Sequence, residues 1–136
     1  MIHSIRHGLN DDTLFRKILR GMNKTFYHQT VTTQQIENYV SQMAKFDYSK
    51  VFDQYLRTTQ IPTFEFIIAP DKASVRMRYT NCVSGFNLPI TLTNGTEELR
   101  LSPTDQWQEI RLKGRQAILL TEEGIENMYY VKPVSK

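Results

Sequence analysis

A chain of 136 residues is long enough to bury the core of one domain or of two small ones. Its net charge of +3 comes from scattered lysines and arginines, without the runs typical of nucleic-acid-binding tails. The single cysteine, Cys82, excludes an internal disulfide and any zinc site built from several cysteines, and no apolar run approaches the ~20 residues of a membrane span.

The first sixty residues carry apolar side chains at helical spacing. We predict a short helix that ends near Gly8, followed by helices at about 10 to 27, 32 to 44 and 48 to 57. Thr32 and Gln35 form a capping box that marks the start of the third of these helices. Short helices joined by such short turns expose more apolar surface than they can cover, so we expect another protein segment to pack on them.

Residues 51–66 change from helical to strand spacing within one short segment. Pro62 lies at the change and disfavours a helical conformation at Ile61. We expect the apolar face of the last helix to continue into the inward face of the first strand, with five side chains buried together at this joint. These are Phe52, Tyr55, Leu56, Ile61 and Phe64.

From residue 63 onward the apolar residues mostly alternate with polar ones, which indicates short strands. Asn94-Gly95 is the strongest hairpin signal in the chain. The sequence predicts an α+β fold, with a helical segment at residues 1–60 and a small antiparallel β-sandwich of about seven strands at residues 61–136. The predicted strands lie near residues 64–68, 75–79, 88–92, 99–101, 107–112, 117–120 and 128–131.

The motif HSIRH places His3 and His7 at the i, i+4 spacing that zincins use to hold zinc. The catalytic form of that motif has a glutamate where this chain has Ser4, and Arg6 adds a positive charge next to His7. No third ligand lies nearby in the sequence. We therefore interpret the pair as two partly exposed helix histidines, and we place His28 at a helix end, where a cation interacts favourably with the helix dipole.

No other motif in the chain indicates catalysis. The sequence has no nucleophile elbow, no Walker loop and no GxGxxG motif. Cys82 has no histidine near it in sequence and is interpreted as a buried or half-buried thiol, while the adjacent acidic pairs at 11–12, 97–98 and 122–123 lie in caps or turns. The residues therefore provide no catalytic, cofactor-binding or metal-ligating candidate, and we predict that the chain alone is inactive.

Three segments, in order, carry a resemblance to a known family. They are residues 10–43 (NDDTLF to VSQM), residues 46–66 (FDYSKVFDQYLRTTQIPTFEF) and residues 78–92 (RYTNCVSGFNLPITL). Together they resemble the C-terminal part of bacterial zinc aminopeptidases of the gluzincin type, which are related to aminopeptidase N and leukotriene hydrolase. In that family a helix ending in a YL…(G or Q)-(I or L)-P segment closes the catalytic domain. A β-sandwich follows with a GF-x-(M or L)-P segment, which Gly85-Phe86-Asn87-Leu88-Pro89 matches.

The resemblance implies a non-catalytic role for this chain. It would brace the catalytic helices and wall the substrate cleft of a zinc aminopeptidase, with the rest of the catalytic domain as its partner. The family's HExxH motif, its distant glutamate, its Gly-x-Met-x-Asn loop and its catalytic tyrosine all lie upstream of the matched segment. Zinc and peptide substrate therefore belong to the parent enzyme, and the resemblance implies no catalytic or metal role for any residue here. It leaves the compartment of the bacterial parent open, with export to the cell envelope among the options.

Two other hypotheses remain open. A free-standing β-sandwich module that binds protein or sugar would present exposed aromatic residues. The candidates are Tyr79, Trp107, Tyr129 and Tyr130. Weak nucleic-acid binding would depend steeply on salt and would use arginines on the strands. The candidates are Arg76, Arg78, Arg100 and Arg111.

Overall fold

The computed structural model describes residues 1–136 as a helical N-terminal half followed by a strand-rich half, so the predicted α+β class is confirmed. The helices are α1 (Ile2–Leu9), α2 (Asp12–Thr25), α3 (Thr33–Ala44), α4 (Ser49–Arg57) and α5 (Glu122–Met128). The strands are β1 (Thr63–Ile68), β2 (Ser74–Thr80), β3 (Ile90–Thr93), β4 (Glu98–Leu101), β5 (Gln108–Arg111) and β6 (Lys132–Ser135). A 3₁₀ helix occupies Gln116–Leu119. None of the five α-helices combines the length and apolar character that crossing a bilayer requires.

Local capping explains where the predicted helices begin. The Asp11 carboxylate accepts a hydrogen bond from the backbone N–H of Leu14 at 2.9 Å, which caps α2. The capping box at α3 is confirmed, because Thr32 Oγ1 accepts from Gln35 N at 3.2 Å while Gln35 Oε1 accepts from Thr32 N at 2.8 Å. These side chains satisfy N–H groups that the first turn of each helix leaves without a partner.

The strands form one mixed sheet and one separate hairpin. The mixed sheet has the order β5-β2-β1-β6, and β3 pairs with β4. An all-antiparallel sandwich of seven strands is not confirmed, because there are six strands and β6 pairs with β1 in parallel. A parallel pair requires a long crossover, and the chain returns to β1 only after the hairpin, β5 and α5.

The C-terminal strand predictions were wrong. Residues 117–120, predicted as a strand, lie mostly in the 3₁₀ helix, and Met128, the start of the other predicted strand, closes α5. Thr121 caps α5 by accepting from Gly124 N at 3.1 Å, and two glutamates follow in its first turn. This helix-capping signal outweighs the tendency of the short apolar runs on either side to form strands. The last strand lies further along and contains Pro133, which an edge strand tolerates.

One hydrophobic core runs through both halves of the chain. It joins Ile5 of α1 and Phe52 of α4 to the inward side chains of both sheets. The predicted joint is confirmed in part: Phe52 and Phe64 are buried and Tyr55 is half-buried, whereas Leu56 and Ile61 are 49% and 42% exposed. Leu56 lines an open groove between the helices, and Ile61 lies in the loop before β1.

Candidate functional site

The four N-terminal helices surround an open apolar groove of about 160 Å³. Eleven of its thirteen lining residues are hydrophobic. Three of them, Ile2, Leu19 and Leu56, are 54%, 39% and 49% exposed. The lining residues are Met1, Ile2, Ile5, Phe15, Ile18, Leu19, Met22, Thr33, Ile36, Glu37, Val40, Phe52 and Leu56. The helices therefore do leave an apolar face that this chain does not cover.

The charged residue in the groove wall is already neutralised from within the chain. Glu37 is only 4% exposed, and its Oε1 accepts a hydrogen bond from Arg57 Nη2 at 2.7 Å. The same guanidinium reaches Asp53 Oδ1 at 3.0 Å through Nη1. The Glu37 hydrogen bond raises the pKa of Arg57 above its ordinary value. A segment lying in the groove would therefore meet apolar surface and would not need to supply a counter-charge.

The segment that carries the family resemblance is a packing element. Phe86 and Leu88 are fully buried, and Gly85 adopts a left-handed φ of 80°, which favours glycine. Tyr79 donates its hydroxyl to the Leu88 carbonyl at 2.8 Å. Helix α1 crosses this segment so closely that a Cβ on Gly8 would lie 2.9 Å from the Pro89 carbonyl oxygen. The segment therefore supports α1, one wall of the groove.

His3 and His7 come together on α1. Their Nε2 atoms lie 3.0 Å apart, and their rings meet edge to face with centroids 4.3 Å apart. His3 is exposed, while His7 is half-buried with its ring 6.1 Å from that of Tyr129. Burial, reinforced by the charges of His3 and Arg6, lowers the pKa of His7. The pair is therefore arranged with one imidazole nitrogen facing the other.

The Arg6 charge beside this pair is compensated. Its Nε and Nη2 atoms donate to the two carboxylate oxygens of Asp12, each at 2.7 Å. This contact raises the pKa of Arg6 and lowers the pKa of Asp12. Asp12 lies in the first turn of α2, and the link between the two helices passes through Asn10, whose φ of 49° is left-handed.

The chain does not fit the catalytic zinc that the family resemblance implies for the parent enzyme. Such a zinc takes three protein ligands and a carboxylate base. No cluster of three or more histidine, cysteine, aspartate or glutamate side chains is arranged to hold a metal. No catalytic step through zinc is therefore assigned to these residues.

The remaining nucleophile candidate, Cys82, is half-buried. Burial, together with the negative charge of Asp105, raises the pKa of its thiol. A raised pKa lowers the fraction of reactive thiolate at neutral pH. This environment disfavours a nucleophilic role.

The aromatic and arginine candidates separate into buried and exposed groups. Tyr79 and Tyr129 are buried, and Tyr129 exchanges two hydrogen bonds with the Thr91 backbone at 2.7 and 2.9 Å. Trp107 is half-buried, and Tyr130 is exposed.

The arginine candidates lie on different sheets. The guanidinium carbons of Arg76 and Arg78 lie 5.3 and 4.6 Å from the Trp107 ring centroid. Arg111 lies on the adjacent strand β5, whereas Arg100 lies in the separate hairpin and pairs with Glu98 at 2.6 Å. The four arginines therefore do not all share one sheet.

Gln54 is the residue whose role the sequence reasoning missed. It is fully buried between α4 and the loops that follow α4 and β2. Its position three residues after Val51, on the buried side of the helix, was the available signal.

Neither models of known protein families nor curated protein sequences give a match to this chain. The resemblance to zinc aminopeptidases therefore depends on the quoted segments themselves.

Proposed function

We propose that this chain is the non-catalytic C-terminal part of a gluzincin-type zinc aminopeptidase, where it braces the catalytic helices and walls the substrate cleft. The observation that supports this most directly is the uncovered apolar groove formed by α1 to α4. Helices at the end of a catalytic domain would pack against preceding helices of the same domain through such a face.

The chemistry of the groove favours another apolar protein segment as its occupant. Burying apolar surface contributes about 25 cal/mol per Å² removed from water. The exposed side chains of Ile2, Leu19 and Leu56 stand along the groove, and the Glu37 carboxylate in its wall is already paired. Ridges and grooves made by helices are filled efficiently by a further helix.

The strand-rich half packs against two of the helices that line the groove. The core side chain of Ile5 comes from α1, and that of Phe52 comes from α4. Both pack into the same cluster as the sheet residues, and α1 also rests on the segment around Pro89. A helix seated in the groove would therefore be braced by the whole chain, which fits a structural role beside a catalytic centre.

The coding sequence upstream of Met1 provides the direct test. We expect an in-frame HExxH motif with a more distant glutamate at family-like spacing. A protein expressed from the longer reading frame should release the chromophore from an aminoacyl-anilide. An authentic translation start at Met1, with no HExxH upstream, would refute the proposal.

A binding module for protein or sugar is the second candidate. It is favoured by Trp107, whose half-exposed ring carries two arginine guanidiniums. Glycan and peptide arrays would test it, with Trp107→Ala as the variant that removes the platform. Binding that disappears with Trp107→Ala would support this candidate, and no binding above background would count against it.

A further inference from the structure

We propose that His3 and His7 form a binding site for one divalent transition-metal ion of the class that prefers imidazole, such as Zn²⁺, Ni²⁺ or Cu²⁺. The site is separate from the proposed structural role, because it uses neither the apolar groove nor any upstream residue. Imidazole nitrogen is a good ligand for each of these ions.

The distance between the two Nε2 atoms matches the separation of two nitrogen ligands bound to one metal ion. Two imidazole nitrogens, each about 2.0 to 2.1 Å from an ion, lie about 2.8 to 3.4 Å apart when the angle at the metal is between about 90° and 109°. His3 Nε2 and His7 Nε2 are 3.0 Å apart. This contact is a hydrogen bond in which one ring carries its proton on Nε2. Once that proton lies on Nδ1 instead, both Nε2 atoms offer a lone pair to one ion at nearly the same separation.

The Arg6 charge, which argued against a cation in the sequence, is paired with a carboxylate in the fold. Both Asp12 oxygens accept hydrogen bonds from Arg6, so this guanidinium is engaged by a carboxylate. Asn10, the other polar residue at the end of α1, donates to Glu98 at 3.2 Å. The Asp12 carboxylate therefore offsets the Arg6 charge, while Glu98 is itself paired with Arg100 at 2.6 Å.

The backbone that carries the two histidines is fixed by packing. Ser4 Oγ accepts from the Tyr130 backbone N–H at 2.9 Å, and Ile5 lies in the hydrophobic core. The His7 ring also meets Tyr129 edge to face. Because these contacts hold the helix turn in place, little conformational freedom is lost when a metal joins the rings.

Two protein ligands leave the other coordination positions to water. An open cavity of about 430 Å³ lies beside His7, and its other lining residues are Arg6, Asn10, Asp12, Thr91, Thr93 and Met128. Water can therefore reach the His7 side of the pair, and His3 is exposed. Without a glutamate base the site binds metal and has no residue for peptide hydrolysis.

Isothermal titration of ZnCl₂ and NiCl₂ into the chelator-treated full chain, prepared without a polyhistidine tag, tests the site. The variants are His3→Gln, His7→Gln and the double change Ile2→His with His3→Gln, which keeps the histidine count but alters the spacing. His28→Gln is the matched control, because this third histidine lies outside α1. Circular dichroism checks that each variant keeps its helices.

We expect one ion per chain in the parent protein and in His28→Gln. Each α1 variant should bind at least about tenfold more weakly, since removing even an outer-shell partner of a metal ligand costs that much. Affinity unchanged in His3→Gln would overturn the proposal, and so would an equal loss in His28→Gln. His3 is exposed, so its variant stays informative even if His7→Gln disturbs the contact with Tyr129.

Discussion

Gln54 ties the end of α4 to two loops through three hydrogen bonds. Its Nε2 donates to the Gln60 carbonyl at 2.8 Å and to Thr58 Oγ1 at 2.9 Å, while its Oε1 accepts from Val83 N at 2.6 Å. A polar side chain on an apolar helix face is costly unless it is satisfied, and here every contact is supplied by a neighbouring loop. Gln54 thus holds the segment between α4 and β1 against the loop that follows β2.

Replacing Gln54 with methionine should lower the free energy of unfolding by about 2 to 4 kcal/mol, because the N–H of Val83 and the Gln60 carbonyl lose their partner. Urea unfolding followed by circular dichroism measures the change. Gln42→Met is the control, since Gln42 is exposed on α3 and should shift stability by no more than about 0.5 kcal/mol. Equal midpoints for the two variants would show that the Gln54 bonds contribute little.

Glu65 gives the fold a dependence on acid pH. Its carboxylate meets Lys136 Nζ at 2.8 Å and Arg78 Nε at 2.7 Å. The hydrogen bond from Lys136, followed by that from Arg78, lowers the pKa of Glu65, although burial opposes the shift. A carboxylate with a lowered folded-state pKa stabilises the fold above its unfolded value of about 4.3, and this contribution is lost as pH falls through the folded value.

We therefore expect Glu65→Gln to be less stable than the parent by about 1 to 2 kcal/mol at neutral pH. The difference should be smaller at about pH 3 than at neutral pH, because the contribution begins to be lost once the pH falls below the unfolded value of about 4.3. Urea unfolding at both pH values provides the comparison. Glu126→Gln, at an exposed position, should follow the parent curve. A stability difference that stays constant with pH would contradict this account.

At the level of elements, the joint between α4 and β1 separates two positions that the sequence treats alike. Phe64 is fully buried, with ring centroids 5.6 Å from Phe66 and 5.5 Å from Tyr79. Leu56 is half exposed at the edge of the groove. The difference arises because Leu56 lines the open groove between the four helices, whereas Phe64 lies in the core.

Truncating Phe64 to alanine should cost about 3 to 5 kcal/mol, whereas Leu56→Ala should cost less than about 1 kcal/mol. Thermal and urea unfolding of the two variants measure both values under one set of conditions. Similar costs at the two positions would mean that the joint is packed differently, with Leu56 as part of its core.

The elements that the sequence predicts well are those with a local cause. The capping side chains of α2 and α3 lie within three residues of their partners, and Asn94 Oδ1 closes the β3–β4 turn by accepting from Thr96 N and Glu97 N. The β1–β6 pair lies beyond such reasoning, because it joins Thr63 to Lys132 across most of the strand-rich half.

The candidate metal site likewise combines a local feature that the sequence predicts with a long-range feature that it does not. The spacing of His3 and His7 is visible in the sequence, since it follows from the helix period. The pairing of Arg6 with Asp12 is not, because it depends on how the turn at Asn10 sets α1 against α2. The sequence therefore shows the spacing of the two histidines, which was interpreted without a metal, but not the Arg6–Asp12 pair beside them.

For the molecule as a whole, we expect the purified chain to leave aminoacyl-anilide substrates intact, with or without added zinc. Peptide hydrolysis by a gluzincin needs three protein ligands to zinc, a carboxylate base and a donor for the developing oxyanion, whereas α1 provides two histidines. Chromophore release is the measurement, with the His3→Ala, His7→Ala double variant alongside. Zinc-dependent turnover that this double variant abolishes would contradict the expectation.

The apolar groove has a consequence for the isolated chain that does not depend on which partner covers it. Exposed apolar surface of this kind binds hydrophobic dyes and promotes association. Replacing Ile2, Leu19 and Leu56 by glutamine should reduce the fluorescence of bound anilinonaphthalene sulfonate. The free energy of unfolding should change by less than about 1 kcal/mol per site, because these side chains are 54%, 39% and 49% exposed.

The matched control replaces three exposed apolar residues outside the groove, Tyr27, Ile61 and Ile118, which are 70%, 42% and 54% exposed. Single exposed side chains scattered over a surface do not form a dye site, so this variant should retain the parent fluorescence. An equal decrease in both triple variants would show that dye binding reports total exposed apolar area and not the groove. A decrease confined to the groove variant, with the free energy of unfolding unchanged, would place the dye in the groove between the four helices and identify that groove as the main exposed apolar surface of the chain.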